Sequence, residues 1–406
     1  MRCRQLKLRS RRMTAVEVYR SDRVADLLAE AIDECLSRTL LKPSDALCIE
    51  SMIGGVGSIG IFYVGSVNPI VVKIGRSDVL ADEIAFYASA TSQFSTRSGC
   101  SLPAVLCHST QKEYGWFVIE AGARDTLEAY LYGDPLAMKL QATWQATVRA
   151  VIAHMNPVYQ QSIVNTSWPL EEYHFHGRLK SLIESEALSQ SAARYLGVTA
   201  TMEMISQCDI IINGRRYPSM SKLIDAAIRL YPDIGQTHSA FIHGDLQVRN
   251  VIPRVSGDGY IFIDPRIRWE GKFVGPIGGG SPLYDCANLL HSVAGMSTIL
   301  AHTDKGKMST LCREGRIARR SITLWLNEEF LLQTEVAMGQ MCDVISNTLD
   351  PRFLVKGWQS HLFAYAANST IGWLKSIPIV RTRETWLCMF AVGVRLLHRA
   401  TDVQST

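Results

Sequence analysis

Two acids and an amide lie in the second half of the chain, each next to a short apolar run. Residues 241–252 (FIHGDLQVRNVI) contain Asp245 and Asn250, whose separation of five positions is typical of a loop rather than of one helix face. Asp264 follows a second run, residues 260–263 (YIFI), after a turn. If the two runs pair as a hairpin, these three side chains meet at one end. Such an oxygen-rich set suits Mg²⁺, which takes a few protein oxygens together with phosphate oxygens and water.

A lysine lies inside an apolar run nearer the N-terminus, where an ammonium group without a partner is costly. Lys73 stands in residues 70–74 (IVVKI), and residues 78–91 carry apolar side chains at helical spacing. Glu83 in this predicted helix is a carboxylate partner for Lys73, and Asp82 is the neighbouring candidate. A lysine at a sheet edge is the structural alternative. A buried, paired lysine is suited to binding phosphate oxygens.

A glycine pattern precedes this lysine. Residues 55–60 (GVGSIG) match Gly-x-Gly-x-x-Gly, which alone is a weak signal. A dinucleotide-binding loop would open a helix here, whereas these residues run into the strand-like run 61–64 (IFYV). The pattern favours a glycine loop between two strands, whose backbone N–H groups approach phosphates without an intervening Cβ; a plain glycine hairpin is the alternative. The candidate nucleotide contacts in this loop are Gly55, Gly57, Ser58 and Gly60.

The elements that must position these residues change character along the chain. Residues 48–76 and 102–120 read as short strands, and beyond residue 125 the pattern becomes mostly helical, with a β interruption at 240–264. A small β-rich part followed by a large α-rich part is therefore predicted. Residues 310–343 allow a helix, and their arginines at 313, 316, 319 and 320 are interpreted as a solvated basic stripe on it.

Length and composition are those of a globular protein. The 406 residues are 47% hydrophobic and 20% charged, which excludes a disordered or collagen-like chain. The net charge is +4, but residues 1–12 carry six Lys and Arg and no acid, so the remainder is slightly acidic. We therefore expect no nucleic-acid partner. Residues 1–12 are predicted to be a disordered tail. A transit-like peptide, a phosphate-binding arm and translated sequence upstream of Met13 remain open for it, and the last is favoured.

The ten cysteines are scattered, without the short spacings of a zinc or thioredoxin motif. This pattern fits buried thiols in a reducing compartment. No apolar run reaches the length needed to span a bilayer. A cytoplasmic protein without a membrane partner is expected.

The segment that contains Asp245 closely resembles the catalytic loop of aminoglycoside phosphotransferase and choline-kinase-like enzymes, His-Gly-Asp-x-x-x-x-Asn followed by Ile-Asp. The glycine loop, Lys73, Glu83, a hinge-like stretch at 117–122 (FVIEAG) and Tyr-Asp-Cys-Ala at 284–287 follow in the family's order. The resemblance covers roughly residues 50–295. It implies a bilobal, protein-kinase-like α+β fold with a small antiparallel-sheet N-lobe and a large, mainly helical C-lobe.

The resemblance also implies boundaries and a reaction. Residues 13–121 would form the nucleotide-binding lobe, and residues 122–406 would carry the catalytic loop and the acceptor-binding helices. The γ-phosphate of ATP or GTP would move, with Mg²⁺, to a hydroxyl of a small molecule. Asp245 would orient this hydroxyl and accept its proton, and Asn250 and Asp264 would hold Mg²⁺.

The same resemblance assigns the nucleotide and supporting contacts. Lys73, oriented by Glu83, would bind the phosphates under the glycine loop, and the backbone near Glu120 and Gly122 would bind the purine. His243 and Asp285 would support the catalytic loop. Asp285 lies in the first turn of a helix that Ser-Pro at 281–282 is predicted to start, where a carboxylate is favoured whatever its role.

The segment after the second acid, residues 265–282 (PRIRWEGKFVGPIGGGSP), is expected to border the acceptor. Arg266, Arg268 and Trp269 are possible acceptor contacts, with the indole as a stacking surface, and the glycines at 278–280 would let the segment move. A solvated loop is the alternative. Asp-Pro-Arg at 264–266, with Tyr-Asp-x-Ala and Leu-Leu-His-Ser further on, looks like kinase-like phosphotransferases associated with sugar and capsule biosynthesis. Because the segment has few carboxylates, we expect a neutral or anionic acceptor such as a sugar, a nucleoside or a glycoside antibiotic. The family resemblance also keeps an aminoglycoside, which is a cationic acceptor, among the candidates.

Two other functions compete with this interpretation. A catalytically silent nucleotide-binding module often lacks one of the key residues, whereas Lys73, Asp245, Asn250 and Asp264 are all in place. A protein kinase would have His-Arg-Asp in place of His-Gly-Asp, and this chain has no Asp-Phe-Gly or Ala-Pro-Glu after Asp264.

Overall fold

The computed structural model describes twelve stretches of the chain, and everything below refers to them: residues 15–42, 48–52, 58–65, 68–93, 102–132, 141–165, 169–197, 201–229, 238–257, 259–269, 271–318 and 320–402. The predictions for residues 1–12, Gly55 and Gly57 fall outside these stretches. The chain divides into two compact units. The N-terminal unit comprises Met1–Ala88 and Pro103–Gly122, and the C-terminal unit comprises Ser89–Leu102 and Ala123–Thr406.

The N-terminal unit is built on one antiparallel sheet of five strands in the order β1-β2-β3-β5-β4. Its elements are α1 (Ala15–Ser37), β1 (Cys48–Met52), β2 (Ser58–Gly65), β3 (Ile70–Arg76), the start of α2 (Ser77–Gln93), β4 (Val105–Ser109) and β5 (Tyr114–Glu120). Leu27, Leu28 and Ala31 of α1 pack with Phe62 and Val72 of the sheet in one buried core. Strand β3 lies in the middle of the sheet, where both neighbours protect its residues from water.

The C-terminal unit is mainly helical. Its helices are α3 (Leu127–Tyr132), α4 (Gln141–Gln161), α5 (Pro169–Glu172), α6 (Lys180–Glu184), α7 (Glu186–Leu196), α8 (Met202–Gln207), α9 (Met220–Ile228), α10 (Pro282–His291), α11 (Ser297–Asp304), α12 (Glu328–Ser346), α13 (Trp358–Gly372), α14 (Ile377–Val380) and α15 (Arg383–Asp402). A π-helical turn at Tyr173–Leu179 joins α5 to α6. Residues Ser360–Gly372 of α13 are all buried, which places this helix in the core between α10 and α15.

Short strands interrupt these helices. They are β6 (Asp209–Ile212), β7 (Arg215–Tyr217), β8 (Ala240–Phe241), β9 (Val251–Pro253), β10 (Tyr260–Phe262), β11 (Gly279–Gly280), β12 (Cys312–Ala318) and β13 (Ser321–Leu326). The predicted hairpin is present, because β9 and β10 pair antiparallel with Ile252 opposite Ile261. The predicted fold class, α+β with a small antiparallel sheet followed by a larger, mainly helical part, is confirmed.

The prediction of a helix over residues 310–343 was wrong in its first half. Strands β12 and β13 pair as an antiparallel hairpin, and β13 pairs in parallel with β6, more than a hundred positions earlier in the chain. Burial alternates along β13, where Ile322, Leu324 and Leu326 are buried, as one covered face of a sheet requires. Arg313 and Arg316 therefore lie exposed on a strand and not on a helical stripe. Helix α12 begins only after this hairpin.

The described cysteines are free thiols, and six of these eight are buried. Cys35 of α1 and Cys107 of β4 lie with their Sγ atoms 3.7 Å apart in the core of the N-terminal unit. Among the helices of the described stretches, none combines the length and apolar character that crossing a membrane requires.

Candidate active site

The structure pairs Lys73 with Glu83, the first of the two candidate carboxylates. The Lys73 Nζ atom lies 2.6 Å from Glu83 Oε2, and both side chains are about nine-tenths buried. Lys73 lies on β3 between Ile61 of β2 and Phe117 of β5, so it is not at a sheet edge. The Tyr87 hydroxyl, one turn further along α2, donates to Glu83 Oε1 at 3.3 Å. These contacts hold the ammonium group in one orientation, and its role in phosphate binding remains a prediction.

The other predicted nucleotide contacts of the N-terminal unit are backbone positions. Ser58 and Gly60 belong to β2 itself, where the pairing with β3 shifts register between them. Glu120 ends β5 opposite Ile70, and the next residue donates its N–H to the Pro69 carbonyl at 3.1 Å. Gly122 follows directly and is buried. The hinge-like stretch therefore leaves the sheet at a fixed point.

The loop of residues 243–250, which resembles a catalytic loop, brings Asp245 and Asn250 together. The Asn250 amide donates from Nδ2 to the Asp245 carbonyl at 2.9 Å and to Asp245 Oδ2 at 3.3 Å. A 3₁₀ turn at Val248–Asn250 shortens the loop enough for this contact. The Ile263 N–H donates to the Asn250 carbonyl at 3.0 Å, so Asp264 follows directly after a bonded pair. The three residues predicted from their spacing thus lie at one end of the β9–β10 hairpin.

Two residues of this region have left-handed backbone conformations. Gly244 has φ +77°, and a Cβ built on it would lie 2.7 Å from the Arg266 carbonyl, so only glycine fits between the His243 and Asp245 positions. Asp264 has φ +56°, a conformation that a residue other than glycine adopts rarely. Strained backbone of this kind persists where the surrounding hydrogen bonds hold it, and it is frequent at functional sites.

Asp285 anchors the loop from the first turn of α10. Its Oδ2 accepts the His243 N–H and its Oδ1 accepts the Gly244 N–H, both at 2.8 Å. The Tyr159 hydroxyl donates to Oδ2 at 2.9 Å. Ser281 caps the helix by accepting the Leu283 N–H, and Pro282 occupies the first turn, as the sequence predicts. The fully buried carboxylate therefore fixes the backbone that precedes Asp245.

Burial makes the protonation of Asp285 a source of pH-dependent stability. Burial raises its pKa from the usual 3.8 to about 7, against the three hydrogen bonds, which favour the ionised form. The pKa of Asp285 is higher in the folded protein than in the unfolded chain. Its contribution to the free energy of unfolding is therefore complete below the unfolded-state pKa and is lost as the pH rises through about 7. Relative to Asp285→Asn, we expect the wild-type free energy of unfolding to fall between these pH values, by up to about 4 kcal/mol.

Urea unfolding of both proteins across this pH range measures the effect. The difference between them cancels the titration of the buried histidines, which both proteins share. An unfolding free-energy difference that stays constant with pH would contradict the assignment.

His243 acts as a neutral support. Its side chain is fully buried against Phe262, and burial lowers its pKa to about 4, although Asp245 and Asp264 oppose the shift. Its carbonyl accepts the Arg266 N–H at 3.0 Å. His243 therefore connects the start of the 243–250 loop to the segment after Asp264 without carrying charge near neutral pH.

Two donors that the sequence interpretation missed hold the Asp245 carboxylate. Gln247 Nε2 donates to Oδ1 at 2.9 Å, and Arg266 Nη2 lies 3.3 Å from the same oxygen. Gln247 lies two positions after Asp245 in the motif, and this position was the signal available. Arg266 was predicted to face the acceptor. The structure places its guanidinium on Asp245, with about three-tenths of the side chain exposed.

Trp269 does not present the stacking surface that was expected of it. The residue is only 4% exposed and packs edge-on against His174 and Tyr284. The guanidinium carbons of Arg178 and Arg266 lie 5.6 and 5.4 Å from its ring centre, within cation–π range. Arg268, in contrast, is exposed and lies over the ring of Phe273. An acceptor-facing role for Arg268 stays a prediction.

The glycines at 278–280 are paired and do not form an open loop. Gly279 and Gly280 form β11 opposite Phe241 and Ala240, and the Ile242 N–H donates to the Gly278 carbonyl at 2.6 Å. Gly278 has φ +71°, and a Cβ there would lie 2.6 Å from the Phe241 ring. These glycines allow the backbone to approach β8 closely. The expectation that they let the segment move was therefore wrong.

A second loop residue is anchored at long range. Arg249 pairs with Glu128 of α3 at 3.6 Å and lies over the Trp373 ring at 5.2 Å. Ser297 donates to the other oxygen of Glu128 at 2.9 Å. Neither the spacing of these residues nor their types indicated this contact, because the partners are far apart in the chain.

The donor set fits the Mg²⁺ that the resemblance implies. The Asn250 amide nitrogen bonds to Asp245, which leaves its oxygen Oδ1 as the atom for a metal, and Asp264 supplies a carboxylate. Within the described stretches, no group of three or more His, Cys, Asp or Glu side chains forms a complete metal site. Two protein oxygens completed by phosphate and water suit Mg²⁺, which seldom uses a closed protein cage.

Comparison with known proteins adds similarity at the level of solved structures. No family model and no curated protein sequence matches the chain. The chain is similar to a crystal structure of an aminoglycoside 3'-phosphotransferase of type VIII, at 14% identity over 82% of this chain and 98% of that one, with a TM-score of 0.39.

Two further solved structures have comparable similarity. An aminoglycoside phosphotransferase from Streptomyces rimosus, in complex with ADP and streptomycin, has 14% identity over 84% of this chain and 98% of that one, with a TM-score of 0.38. A macrolide 2'-phosphotransferase from Brachybacterium faecium has 9% identity over 88% and 96%, with a TM-score of 0.38. Since these scores and identities are low, the case for function rests on the geometry around Asp245.

Proposed function

We propose that this chain is an ATP- or GTP-dependent O-phosphotransferase that acts on a hydroxyl group of a small molecule. One observation carries the proposal: Asp245 is held by Gln247, Asn250 and Arg266, next to Asp264, in a loop whose backbone Asp285 fixes. The buried Asp285 carboxylate accepts two backbone N–H groups of this loop and so fixes its conformation, which favours a functional loop over a plain connection. The arrangement keeps an acid in one place, which general-base catalysis requires.

The reaction follows from these positions. The Asp245 carboxylate accepts the proton of the acceptor hydroxyl while the hydroxyl oxygen forms a bond to the γ-phosphorus of the nucleotide. The bond from that phosphorus to the bridging oxygen breaks, and ADP or GDP leaves with the electron pair. In the N-terminal unit, Lys73 would bind phosphate oxygens, since Glu83 holds its ammonium group. Mg²⁺, held by Asn250 and Asp264, would neutralise phosphate charge.

The acceptor class in this proposal is a sugar, a nucleoside or a glycoside antibiotic, and no nucleic acid or membrane takes part. Incubation of the purified protein with Mg²⁺, ATP or GTP, and a panel of sugars, nucleosides and aminoglycosides tests it. We expect the mass gain of one phosphoryl group on at least one acceptor. Stabilisation by nucleotide without phosphorylation of any acceptor would favour the silent binding module.

A further inference from the structure

The 3₁₀ turn that ends the 243–250 loop is held at each of its three residues by a different contact. Val248 is fully buried in the core. Arg249 reaches Glu128 of α3, with its Nη2 atom 3.6 Å from Oε2. Asn250 donates from its side chain to Asp245. Because a 3₁₀ turn has poor hydrogen-bond geometry of its own, these outside contacts set the orientation of the Asn250 side chain.

The Glu128 carboxylate is held from two sides. While one of its oxygens faces Arg249, the other accepts the hydroxyl of Ser297, the first residue of α11, at 2.9 Å. About one-fifth of the Glu128 side chain is exposed. Burial raises its pKa, and Arg249 and Ser297 oppose this shift because both contacts favour the ionised form. The carboxylate therefore offers the guanidinium a charged partner in a defined place.

The guanidinium of Arg249 has a second contact, with an aromatic ring. Its central carbon lies 5.2 Å from the centre of the Trp373 ring, within cation–π range. Trp373 directly follows α13, the buried helix of the core. Because a guanidinium is planar, contact with a carboxylate and a ring restricts its rotation. Apolar side chains often replace a buried ion pair without loss of stability, so stability alone does not explain an ion pair beside Asn250.

We propose, on the basis of the phosphotransferase function above, that Arg249 is a positioning residue which, through its pairing with Glu128, orients the turn so that the side-chain oxygen of Asn250 is available to Mg²⁺. The Asn250 amide nitrogen is already bonded to Asp245, so a rotation of the turn would move the oxygen relative to Asp264. Residues that orient metal ligands without touching the metal typically contribute 10- to 100-fold to metal affinity.

Nucleotide binding with and without Mg²⁺ tests this role and needs no turnover. Titration calorimetry with ADP and with GDP, in excess Mg²⁺ and in EDTA, gives the factor by which Mg²⁺ increases nucleotide affinity. Arg249→Met should reduce this factor by about 10-fold, towards one, and leave the affinity in EDTA unchanged. Arg249→Lys keeps the charge and should retain part of the factor. Asn250→Ala, which removes the proposed ligand itself, should abolish it.

Arg395→Met is the matched control. Arg395 of α15 is an arginine of the same unit whose side chain is only 10% exposed, and its Nη2 atom lies 2.7 Å from Glu335 Oε2. Loss of this pair should lower the melting temperature and leave the Mg²⁺ factor at the wild-type value. If the Arg249 pair were only structural, Arg249→Met would give the same two results as this control.

The outcomes separate this role from the proposed function. An unchanged factor in Arg249→Met, or an equal loss of affinity in Mg²⁺ and in EDTA, would overturn the positioning role and leave the phosphotransferase standing. A reduced factor in a protein that phosphorylates no acceptor would support the positioning role and favour the silent binding module. A wild-type affinity that Mg²⁺ does not increase would overturn the positioning role and the assignment of Asn250 to the metal.

A second pair of variants covers the case in which Arg249→Met does not fold. Arg249→Lys and Glu128→Gln each keep a polar contact between the two positions, and both should reduce the Mg²⁺ factor by less than the loss expected for Arg249→Met. A wild-type factor in both folded variants would overturn the positioning role.

Discussion

Replacement of Asp245 by asparagine is expected to lower kcat/KM by about 10²- to 10⁴-fold, the contribution typical of a positioned general base. Asparagine has nearly the same shape but cannot accept the proton of the acceptor hydroxyl. Nucleotide affinity should change little, because the proposed phosphate contacts are Lys73 and the metal. Steady-state kinetics on an identified acceptor, together with a nucleotide-binding titration, measure the two effects separately.

A matched charge change controls for this variant. Asp209→Asn removes an exposed carboxylate of β6 in the same unit, and both rate and affinity should stay at the wild-type level. The melting temperature of Asp245→Asn shows whether the loop is still folded, since Asp285 holds its backbone independently of the Asp245 side chain. Turnover near the wild-type rate in a folded Asp245→Asn protein would contradict the proposed mechanism.

The second large effect concerns the buried pair of the N-terminal unit. Lys73→Met removes the cation 2.6 Å from a buried carboxylate and is expected to cost about 3–5 kcal/mol of unfolding free energy. The double variant Lys73→Met/Glu83→Leu removes both charges and should recover most of this loss, because well-packed apolar side chains often replace a buried ion pair without penalty. Urea unfolding of both variants and of Glu83→Leu completes the cycle.

In this set of variants, we expect the free energy of unfolding and the nucleotide affinity to respond differently. Although the double variant regains stability, it still lacks the ammonium group, and we expect its nucleotide affinity to remain about 10- to 100-fold lower. Lys112→Met is the control, because Lys112 is a 70% exposed lysine of the same unit in a surface pair with Glu30. Its effect on stability should be within about 0.5 kcal/mol. Normal nucleotide binding by the double variant would mean that the pair is structural only.

Much of the site could be predicted because its parts are close in sequence. Asp245, Asn250 and Asp264 belong to one hairpin, so their order and the short strands around them were enough to bring them together. Lys73 and Glu83 are separated by one strand end and two helical turns. The sequence left Glu83 and Asp82 as alternative partners of Lys73. The orientation of helix α2 was needed to choose between them, because neighbouring side chains on a helix point in different directions.

Two features that could not be predicted depend on contacts between distant segments. The parallel pairing of β13 with β6 converted a predicted helix into a sheet, since pairing and burial outweigh the weak local preference for a helix. Trp269 was expected to offer its indole to the acceptor as a stacking surface, but His174 and Tyr284, which come from other elements, pack against its ring.

The sequence by itself identified the groups of the proposed phosphotransfer site, because their types and order resemble those of a known family of small-molecule kinases. Only the tertiary structure decided how these groups are held. The buried Asp285 carboxylate accepts hydrogen bonds from the Tyr159 hydroxyl and from the His243 and Gly244 N–H groups, and the fold places the Arg266 guanidinium beside Asp245. The physical reason is that electrostatic interactions act over a few ångströms in space, whereas the sequence records only separation along the chain.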